Sequence, residues 1–277
     1  MPADSVGEQD LRAEHFEAMV KGFALQEFKM KRLVMVQSSN AWIETYYRET
    51  ATELTGGLGS GVRGVPRLAN FPYGQVTWTK VQAYIEKYGM EGIVSYEDAI
   101  TNNIDVIARE MLRIARAVAY AVDLQIYTVL EDAAGQSLAI TAGYEWDSAT
   151  VANREPLKNI LSAKAKLQIQ QFNTDNCILC LSPTDYSNLM GNAAITNTLN
   201  MAFAEKILGE IIVSTVVTAD KALLVVPKEC GTWKAAAPLQ VVVTEDKGVK
   251  FTIRAWEMGV TQATTPNAIC TITNTQA

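Results

Sequence analysis

The stretch from Asp98 to Leu130 constrains the fold most, because it predicts a single helix longer than a small domain is wide. Apolar residues recur in it at alternating steps of three and four, the spacing of one helix face. They are Ile100, Ile104, Ile107, Met111, Ile114, Val118, Val122, Ile126 and Val129. At 1.5 Å per residue, such a helix would be roughly 50 Å long. No second long helix is available to pair with it, and we therefore interpret it as a strut that braces an extended molecule.

Composition excludes several classes of protein. The 277 residues are 48% hydrophobic, enough for one large or two modest domains. A net charge of −6 without any basic block argues against tight electrostatic binding to nucleic acid as the main function. The chain has no apolar run of membrane-spanning length, and its N-terminus does not resemble a signal peptide. Four sparse cysteines predict reduced thiols and a cytosolic origin.

The region before the strut cannot build a core alone. Asp10 to Arg32 has apolar residues at helical spacing and predicts a helical arm. Thr50 to Asn70 is rich in glycine and predicts a flexible loop. Gln75 to Tyr88 alternates with mixed residues on both faces, as in a two-stranded ribbon. Because an isolated ribbon is marginal in water, we expect another part of the assembly to cover it.

The region after the strut predicts a compact α/β unit. Pro156 suits a first helical position, and the predicted face of its helix is Leu157, Ile160, Leu161, Ala165 and Phe172. Further on, the patterns predict a buried strand, a capping box, two short strands and a glycine-turn hairpin. In chain order these are Cys177 to Leu181, Ser182 to Asp185, Ile211 to Val217, Ala222 to Val226, and Leu239 to Trp256 with its turn at Asp246 to Gly248.

Two motifs that suggest chemistry have simpler explanations. Gly59 to Gly64 matches the letters of a dinucleotide fingerprint, but no apolar strand precedes it and Val65-Pro66 follows in place of a helix. A loop is therefore favoured. Cys177 and Cys180 form a C-x-x-C motif inside a predicted strand, where residues three apart point to opposite faces. A core strand is therefore favoured over a redox or zinc site.

Other candidate catalytic groups are also poorly placed. His15, the only histidine, lies in the polar arm, where a surface position is favoured over a catalytic one. The acidic pairs Glu97-Asp98 and Glu131-Asp132 lie at the two ends of the strut, where helix-dipole and solvent effects explain them. We predict no catalytic residue, no cofactor and no metal site.

Arg109, Arg113 and Arg116 form one stripe on the strut. A solvated face with ion pairs is the favoured interpretation. Contact with a neighbouring subunit comes next, and contact with the phosphates of enclosed nucleic acid is a third, minor alternative.

The order of elements resembles the major capsid proteins of tailed bacteriophages of the Hong Kong 97 type. The likeness is strongest in a helix, strand and S-P-x-D-Y-x-x-L helix series over Pro156 to Leu167 and Cys177 to Met190, which resembles that family's axial domain. Pro238 to Glu257 and Pro266 to Ile272 resemble its peripheral-domain strands. The resemblance covers nearly the whole chain as an order of elements.

The resemblance implies an α+β capsid fold divided into five parts. They are an N-terminal arm at 1–48, an extended loop at 49–96, a spine helix with peripheral domain at 97–133, an axial domain at 134–236, and peripheral strands with the C-terminus at 237–277. The region from Asn188 to Asn200 would approach the capsomer axis. Trp78, Tyr84, Tyr88 and the three arginines are then candidate subunit contacts.

The implied function is mechanical. Copies would assemble into hexamers and pentamers of an icosahedral shell around double-stranded DNA in the virion, with assembly in the host cytoplasm. Portal, scaffolding and decoration proteins would be further partners, and no membrane would be involved. The alternatives are an encapsulin-type compartment shell that encloses cargo enzymes, a thiol oxidoreductase that uses Cys177 and Cys180, and a monomeric binding module.

Some members of this family join subunits through an isopeptide bond between a lysine and an asparagine, assisted by a glutamate. Lys80 and Lys87 lie in the predicted loop, and Glu257 and Asn267 in the closing β region. We name these four as cross-link candidates by resemblance, although no motif pairs them.

Overall fold

A computed structural model describes residues 19–20, 28–49, 66–70, 78–100, 104–192 and 209–277. It has these helices: α1 (Tyr96–Ile100), α2 (Ile104–Asp132), α3 (Pro156–Ile169) and α4 (Pro183–Met190). Its first strands are β1 (Met35–Ser38), β2 (Ile43–Glu49), β3 (Trp78–Tyr84), β4 (Glu86–Ser95) and β5 (Gln136–Ala139). The later strands are β6 (Ile178–Leu181), β7 (Glu210–Val213), β8 (Lys221–Val225), β9 (Thr232–Asp246), β10 (Lys250–Gln262) and β11 (Ile269–Thr273). Helices and sheets share one fold, which confirms the α+β class.

The long helix is confirmed as α2. Its 29 residues span about 43 Å, and its inner face is fully buried. That face comprises Met111, Ile114, Val118, Val122, Ile126 and Leu130. Before it, the Ser95 hydroxyl accepts a 3.1 Å hydrogen bond from the backbone N–H of Asp98 and so caps the short helix α1. The sequence pattern merged α1 and α2, and residues 101–103 between them lie outside the described residues.

The first sheet has the strand order β1-β9-β10-β4. Strands β9 and β10 form the predicted hairpin, with Gly248 in the left-handed region at φ +76°. The sheet lies close against α2: a Cβ added at Gly92 on β4 would be 2.5 Å from Cδ1 of Ile114. A side chain at residue 92 would require Ile114 to move, so glycine lets the helix pack closely onto the strand.

The second sheet has the strand order β5-β11-β8-β6-β7. All four residues of β6 are buried, as are four of the five residues of β8. The predicted cap after β6 is confirmed at Ser182, whose hydroxyl accepts a 3.1 Å hydrogen bond from the backbone N–H of Asp185. The resemblance grouped Pro266 to Ile272 with the hairpin strands. The strand β11 lies apart from the hairpin strands, because it pairs with β5 and β8 in the second sheet.

The helix α3 is confirmed, but its predicted face is rotated. Leu161 is 46% exposed and Ala165 is also exposed, whereas Ala163, Lys164 and Leu167 are buried beside Ile160. The buried positions follow helical spacing from Ile160, so a buried lysine replaces a hydrophobic residue in the pattern. The aliphatic stem of such a lysine can pack like an apolar side chain.

The end of the arm packs against the body of its own chain. Strand β1 pairs in parallel with β9, and Met30, Leu33 and Val34 are buried. The predicted helix through Arg32 is wrong at this end, since Met30–Arg32 is a short 3₁₀ turn. Most of the predicted arm helix, including His15, lies outside the described residues.

Candidate functional site

The strands β2 and β3 form an isolated antiparallel ribbon. They pair from Ile43 with Tyr84 to Glu49 with Trp78, and among the described residues no third strand joins them. The sequence analysis named no partner strand for β3, because β2 lay almost entirely within the predicted arm at 1–48. A two-stranded sheet is marginal in water by itself. The stability of the ribbon must therefore come from contacts with the body of the chain or with another molecule.

Two residues of β2, Tyr46 and Arg48, connect the ribbon to the body of the chain. The Arg48 guanidinium donates a 3.0 Å hydrogen bond to the backbone oxygen of Ala133, just after α2. The Tyr46 ring is half-buried near Ala263, and this burial raises the pKa of its hydroxyl. These contacts lie in the half of β2 that ends at Glu49, away from Ile85, where the chain passes from β3 into β4.

The rest of the ribbon exposes large aromatic residues. Trp42 is 72% exposed, Tyr84 62%, Tyr47 59% and Trp78 52%. Aromatic residues gathered on one exposed element are typical of protein–protein interfaces, where they supply most of the contact energy. The ribbon is therefore a candidate assembly surface.

The structure separates the three aromatic residues that the sequence grouped as subunit contacts. Trp78 and Tyr84 lie on the exposed ribbon, whereas Tyr88 lies on β4 in the first sheet. The Tyr88 ring centroid is 6.2 Å from that of Trp233, and its hydroxyl donates a 2.6 Å hydrogen bond to Glu86. Burial and the Glu86 carboxylate raise the pKa of Tyr88. Tyr88 thus has partners in its own chain.

The four cross-link candidates are not brought together. Lys80 is exposed on the ribbon, and the Lys87 ammonium lies 5.0 Å from the Trp256 ring centroid. Asn267 is 2% exposed and its side-chain oxygen accepts a hydrogen bond from Gln136. Glu257 is also 2% exposed. Both residues therefore have structural partners inside the chain.

Glu257 belongs to a buried ion pair that sequence reasoning missed. Its carboxylate accepts hydrogen bonds from the Lys31 ammonium at 2.6 and 2.8 Å and from Trp233 Nε1 at 3.2 Å. The Lys31 ammonium also lies 3.6 Å from the Phe28 ring centroid. This pair holds the end of the arm onto β10. A lysine and a glutamate 226 positions apart leave no local pattern that could have revealed it.

Asp123 is a second anchor of the arm. Its carboxylate accepts hydrogen bonds from the backbone N–H groups of Lys29 at 2.9 Å and of Met30 at 3.1 Å. Burial raises the pKa of Asp123 to about 6, although these N–H groups and the nearby lysines oppose the shift. Asp123 is a buried acidic residue next to Val122 on the apolar face of α2. This charged residue within an apolar pattern was the one sequence signal of the anchor.

The three arginines lie on the exposed side of α2. Arg113 makes a 3.5 Å ion pair with Glu110, one turn earlier. Arg116 borders a cavity of about 450 Å³ that is also lined by Lys29, Tyr120 and Asp123. The stripe and the arm anchor are therefore neighbours.

The cysteines do not have the environment of catalytic thiols. All four are free and buried. Burial raises the pKa of Cys177 to about 11 and also raises the pKa of Cys180. A reactive thiol requires the opposite shift. This finding disfavours the oxidoreductase interpretation.

The acidic pairs have structural partners. Asp98 accepts a hydrogen bond from Ser95, and Glu131 pairs with Lys221. In the described part of the chain, no group of three potential metal ligands lies together. Of the helices described, none combines the length and hydropathy needed to cross a bilayer. Gly59 to Gly64 lies outside the described residues.

Comparison with known proteins identifies the family. Residues 78–272 match the family model described as phage capsid protein. Because this match covers most of the chain, the protein belongs to the phage capsid protein family. A sequence comparison with curated proteins gave no match.

Solved structures show the same fold. A virus-like particle from Pyrococcus furiosus has a TM-score of 0.67 at 10% identity, covering 94% of this chain and 99% of that one. A phage-related protein from Bordetella bronchiseptica RB50 has a TM-score of 0.67 at 14% identity, covering 95% and 96%. The capsid of the cyanophage P-SCSP1u has a TM-score of 0.64 at 13% identity, covering 89% and 88%. The chain therefore has the Hong Kong 97-like fold and is a capsid protein of the virion shell.

Proposed function

We propose that this capsid protein forms hexamers and pentamers of an icosahedral shell, in which each ribbon lies over an adjacent subunit. The observation that carries this proposal is the exposure of Tyr47, Trp78 and Tyr84 on the ribbon, and of Trp42 just before β2, which the described residues of the chain do not cover. Obligate interfaces commonly bury 2,000 Å² or more and gain much of their energy from such aromatic residues.

In this arrangement, the first sheet forms most of the peripheral domain and the second sheet, with α3 and α4, forms the axial domain. The domain boundaries inferred by resemblance need three changes to fit the strands. Strand β2 joins the loop, strand β4 leaves the loop for the peripheral sheet, and strand β11 joins the axial sheet. The helix α4 would lead toward the capsomer axis.

We also propose that the shell encloses double-stranded DNA without sequence specificity, and that portal, scaffolding and decoration proteins are its partners. The net charge of −6 supports the DNA proposal, since an acidic subunit would enclose DNA without binding it tightly. The family match to phage capsid proteins favours DNA over a cargo enzyme as the content.

A variant that lacks the loop between the two ribbon strands tests the role of the ribbon in particle formation. Deleting Thr55 to Gln75 removes the segment between the two strands and leaves both sheets of the body intact. We expect folded subunits by circular dichroism and no closed shells by negative-stain microscopy. Closed shells of normal size from the deletion variant would overturn the proposal.

Analysis of particle contents tests the DNA proposal separately. Particles from infected or induced cells would be treated with nuclease, and the protected content extracted. Double-stranded DNA of uniform length is the expected result. Protein cargo without DNA would contradict it and favour the compartment-shell alternative.

A further inference from the structure

A cavity of about 450 Å³ lies where the arm, the long helix α2 and the second sheet meet. Lys29 borders it from the arm, and Arg116 and Tyr120 border it from α2. The first residue of α4, Pro183, and the segment 213–216 at the end of β7 complete most of its lining. Cavities of this size bind small ligands in many proteins when a few polar groups converge on an apolar wall. The cavity is therefore a candidate binding site.

The residues that line the cavity include two cations and one carboxylate. Lys29 and Arg116 are exposed, whereas Asp123 is buried. Both oxygens of Asp123 accept hydrogen bonds from backbone N–H groups of the arm, at 2.9 and 3.1 Å, so this carboxylate already serves the arm anchor. The exposed charges that border the cavity are therefore both positive.

These cations and two nearby hydroxyls are suited to an oxyanion. The Lys29 ammonium donates a 3.0 Å hydrogen bond to the backbone oxygen of Val213, which holds it at the cavity wall. An ammonium and a guanidinium each carry several N–H donors, so both can bind a ligand in addition to their partners within the chain. Tyr120 and Thr215 are exposed and place their hydroxyls at the same cavity. Proteins use cations and hydroxyls of this kind to bind phosphate.

Positive charge continues along α2 beyond the cavity. Arg113 and Arg109 are exposed and precede Arg116 by one and two helical turns. Helical geometry places the three arginines within about 60° of one another, with steps of about 4.5 and 6 Å along the axis. The ion pair between Arg113 and Glu110 is 3.5 Å long and partly exposed, and such pairs contribute little. A chain of phosphates can therefore extend from the cavity along this stripe.

We propose that this cavity binds a phosphate group between Lys29 and Arg116, with Thr215 as a further contact. Two sources share this chemistry. One is a backbone phosphate of enclosed DNA, whose neighbouring phosphates would lie along the arginine stripe, and the other is free phosphate. The first source rests on the proposed function of the shell, and the second does not. A single local contact agrees with an acidic subunit that does not bind nucleic acid tightly.

Titration of dissociated subunits with inorganic phosphate separates a built site from general charge. Lys29→Gln and Arg116→Gln each remove one cation from the cavity. Arg254→Gln is the matched control, since it removes the same charge from an exposed position on β10 in the first sheet. By isothermal titration calorimetry, we expect each cavity variant to bind phosphate at least about tenfold more weakly than the wild type. The control should keep the wild-type affinity.

Binding of a short DNA duplex identifies the source of the phosphate. Fluorescence anisotropy measures the affinity of the duplex at a series of salt concentrations. Losing one phosphate contact should reduce the slope of log affinity against log salt by about 0.9 in Lys29→Gln and Arg116→Gln, and should not change it in Arg254→Gln. If the cavity variants weaken only the binding of inorganic phosphate, the cavity is a site for free phosphate and enclosed DNA is excluded as the source.

Thr215→Glu tests the same cavity without removing a cation. Thr215 is exposed, and a carboxylate at this position would repel phosphate while leaving the arm anchor in place. We expect this variant to be folded by circular dichroism and to bind phosphate several-fold more weakly. Wild-type affinity in Thr215→Glu, no phosphate binding by the wild type, or equal losses in Arg254→Gln and the cavity variants would each overturn the proposal. Particles that contain DNA despite such a result would leave the proposed function intact.

Discussion

The ribbon has longer strands than the second sheet, seven residues against four or five, yet it is the second sheet whose central strands are buried within the chain. Strand β6 buries all four of its residues between neighbouring strands. Among the described residues, strand β3 has one neighbouring strand, and five of its seven residues are exposed. The comparison indicates that the two sheets supply most of the free energy of folding. It supports the proposal that the exposed aromatic surface of the ribbon serves assembly.

The largest loss of subunit stability is expected in the second sheet. Leu224 is fully buried on β8 and lies opposite Cys270 and Leu179 on its two neighbours. We expect Leu224→Ala to lower the free energy of unfolding by about 2–5 kcal/mol, because it leaves a cavity that the sheet cannot close. Urea unfolding of dissociated subunits measures this. Val242→Ala, at a 45% exposed position on β9, is the control and should change it by less than about 0.5 kcal/mol.

The next largest loss is expected where the arm joins the first sheet. Lys31→Met would leave the Glu257 carboxylate buried without its cation, at a cost of about 3 kcal/mol in the free energy of unfolding. Arg32→Met is the matched control, since Arg32 and Glu210 form a pair with both side chains about half-exposed or more. Its loss should stay below about 1 kcal/mol. Equal losses in the two variants would show that the arm is not held by this buried pair.

These two predictions also show what the sequence could and could not reveal. The buried face of α2, the capping box at Ser182 and the hairpin turn at Gly248 depend on residues within one or two turns of each other, and all three were predictable. The pair between Lys31 and Glu257 joins distant parts of the chain and was not. Strand β2 was missed for the same reason, because its partner β3 begins 29 residues after β2 ends.

The residues of the candidate site were likewise predicted only in part. Trp78 and Tyr84 were candidate contact residues by resemblance, and both lie exposed on the ribbon. Tyr88 follows the same parity but pairs with Trp233, because the chain turns from the ribbon into the sheet at Ile85. Alternation predicts which residues of a strand lie on the same face. It does not predict which sheet the strand joins.

A smaller effect is expected from the pH dependence of the second arm anchor. Burial raises the pKa of Asp123 to about 6, above the value of about 3.9 in an unfolded chain. The folded state therefore binds this proton more tightly, so the contribution of Asp123 to stability is greatest at low pH and is lost as pH rises through 6. Lys29, Lys31 and Arg116 are the charged groups near it.

The variant Asp123→Asn isolates this contribution. The free energy of unfolding of the wild type minus that of the variant should increase by on the order of 1–2 kcal/mol as pH falls from about 7 to about 4. Urea unfolding at a series of pH values measures the difference. A difference that stays constant, or one that decreases on acidification, would show that Asp123 remains ionised throughout this range.

The smallest change in subunit stability is expected at the ribbon, and this prediction tests the opening comparison most directly. Trp78 and Tyr84 occupy opposite ends of β3, and their side chains are 52% and 62% exposed. Replacing both with serine should lower the free energy of unfolding by less than about 1 kcal/mol, since it removes only cross-strand contacts. The same double variant should fail to form closed shells under conditions where wild-type subunits assemble. Leu224→Ala should show the reverse pattern: weakened subunits that still assemble at low temperature. If the ribbon variant instead unfolds early and assembles normally, the ribbon contributes to folding within the chain and the separation between the two regions does not hold.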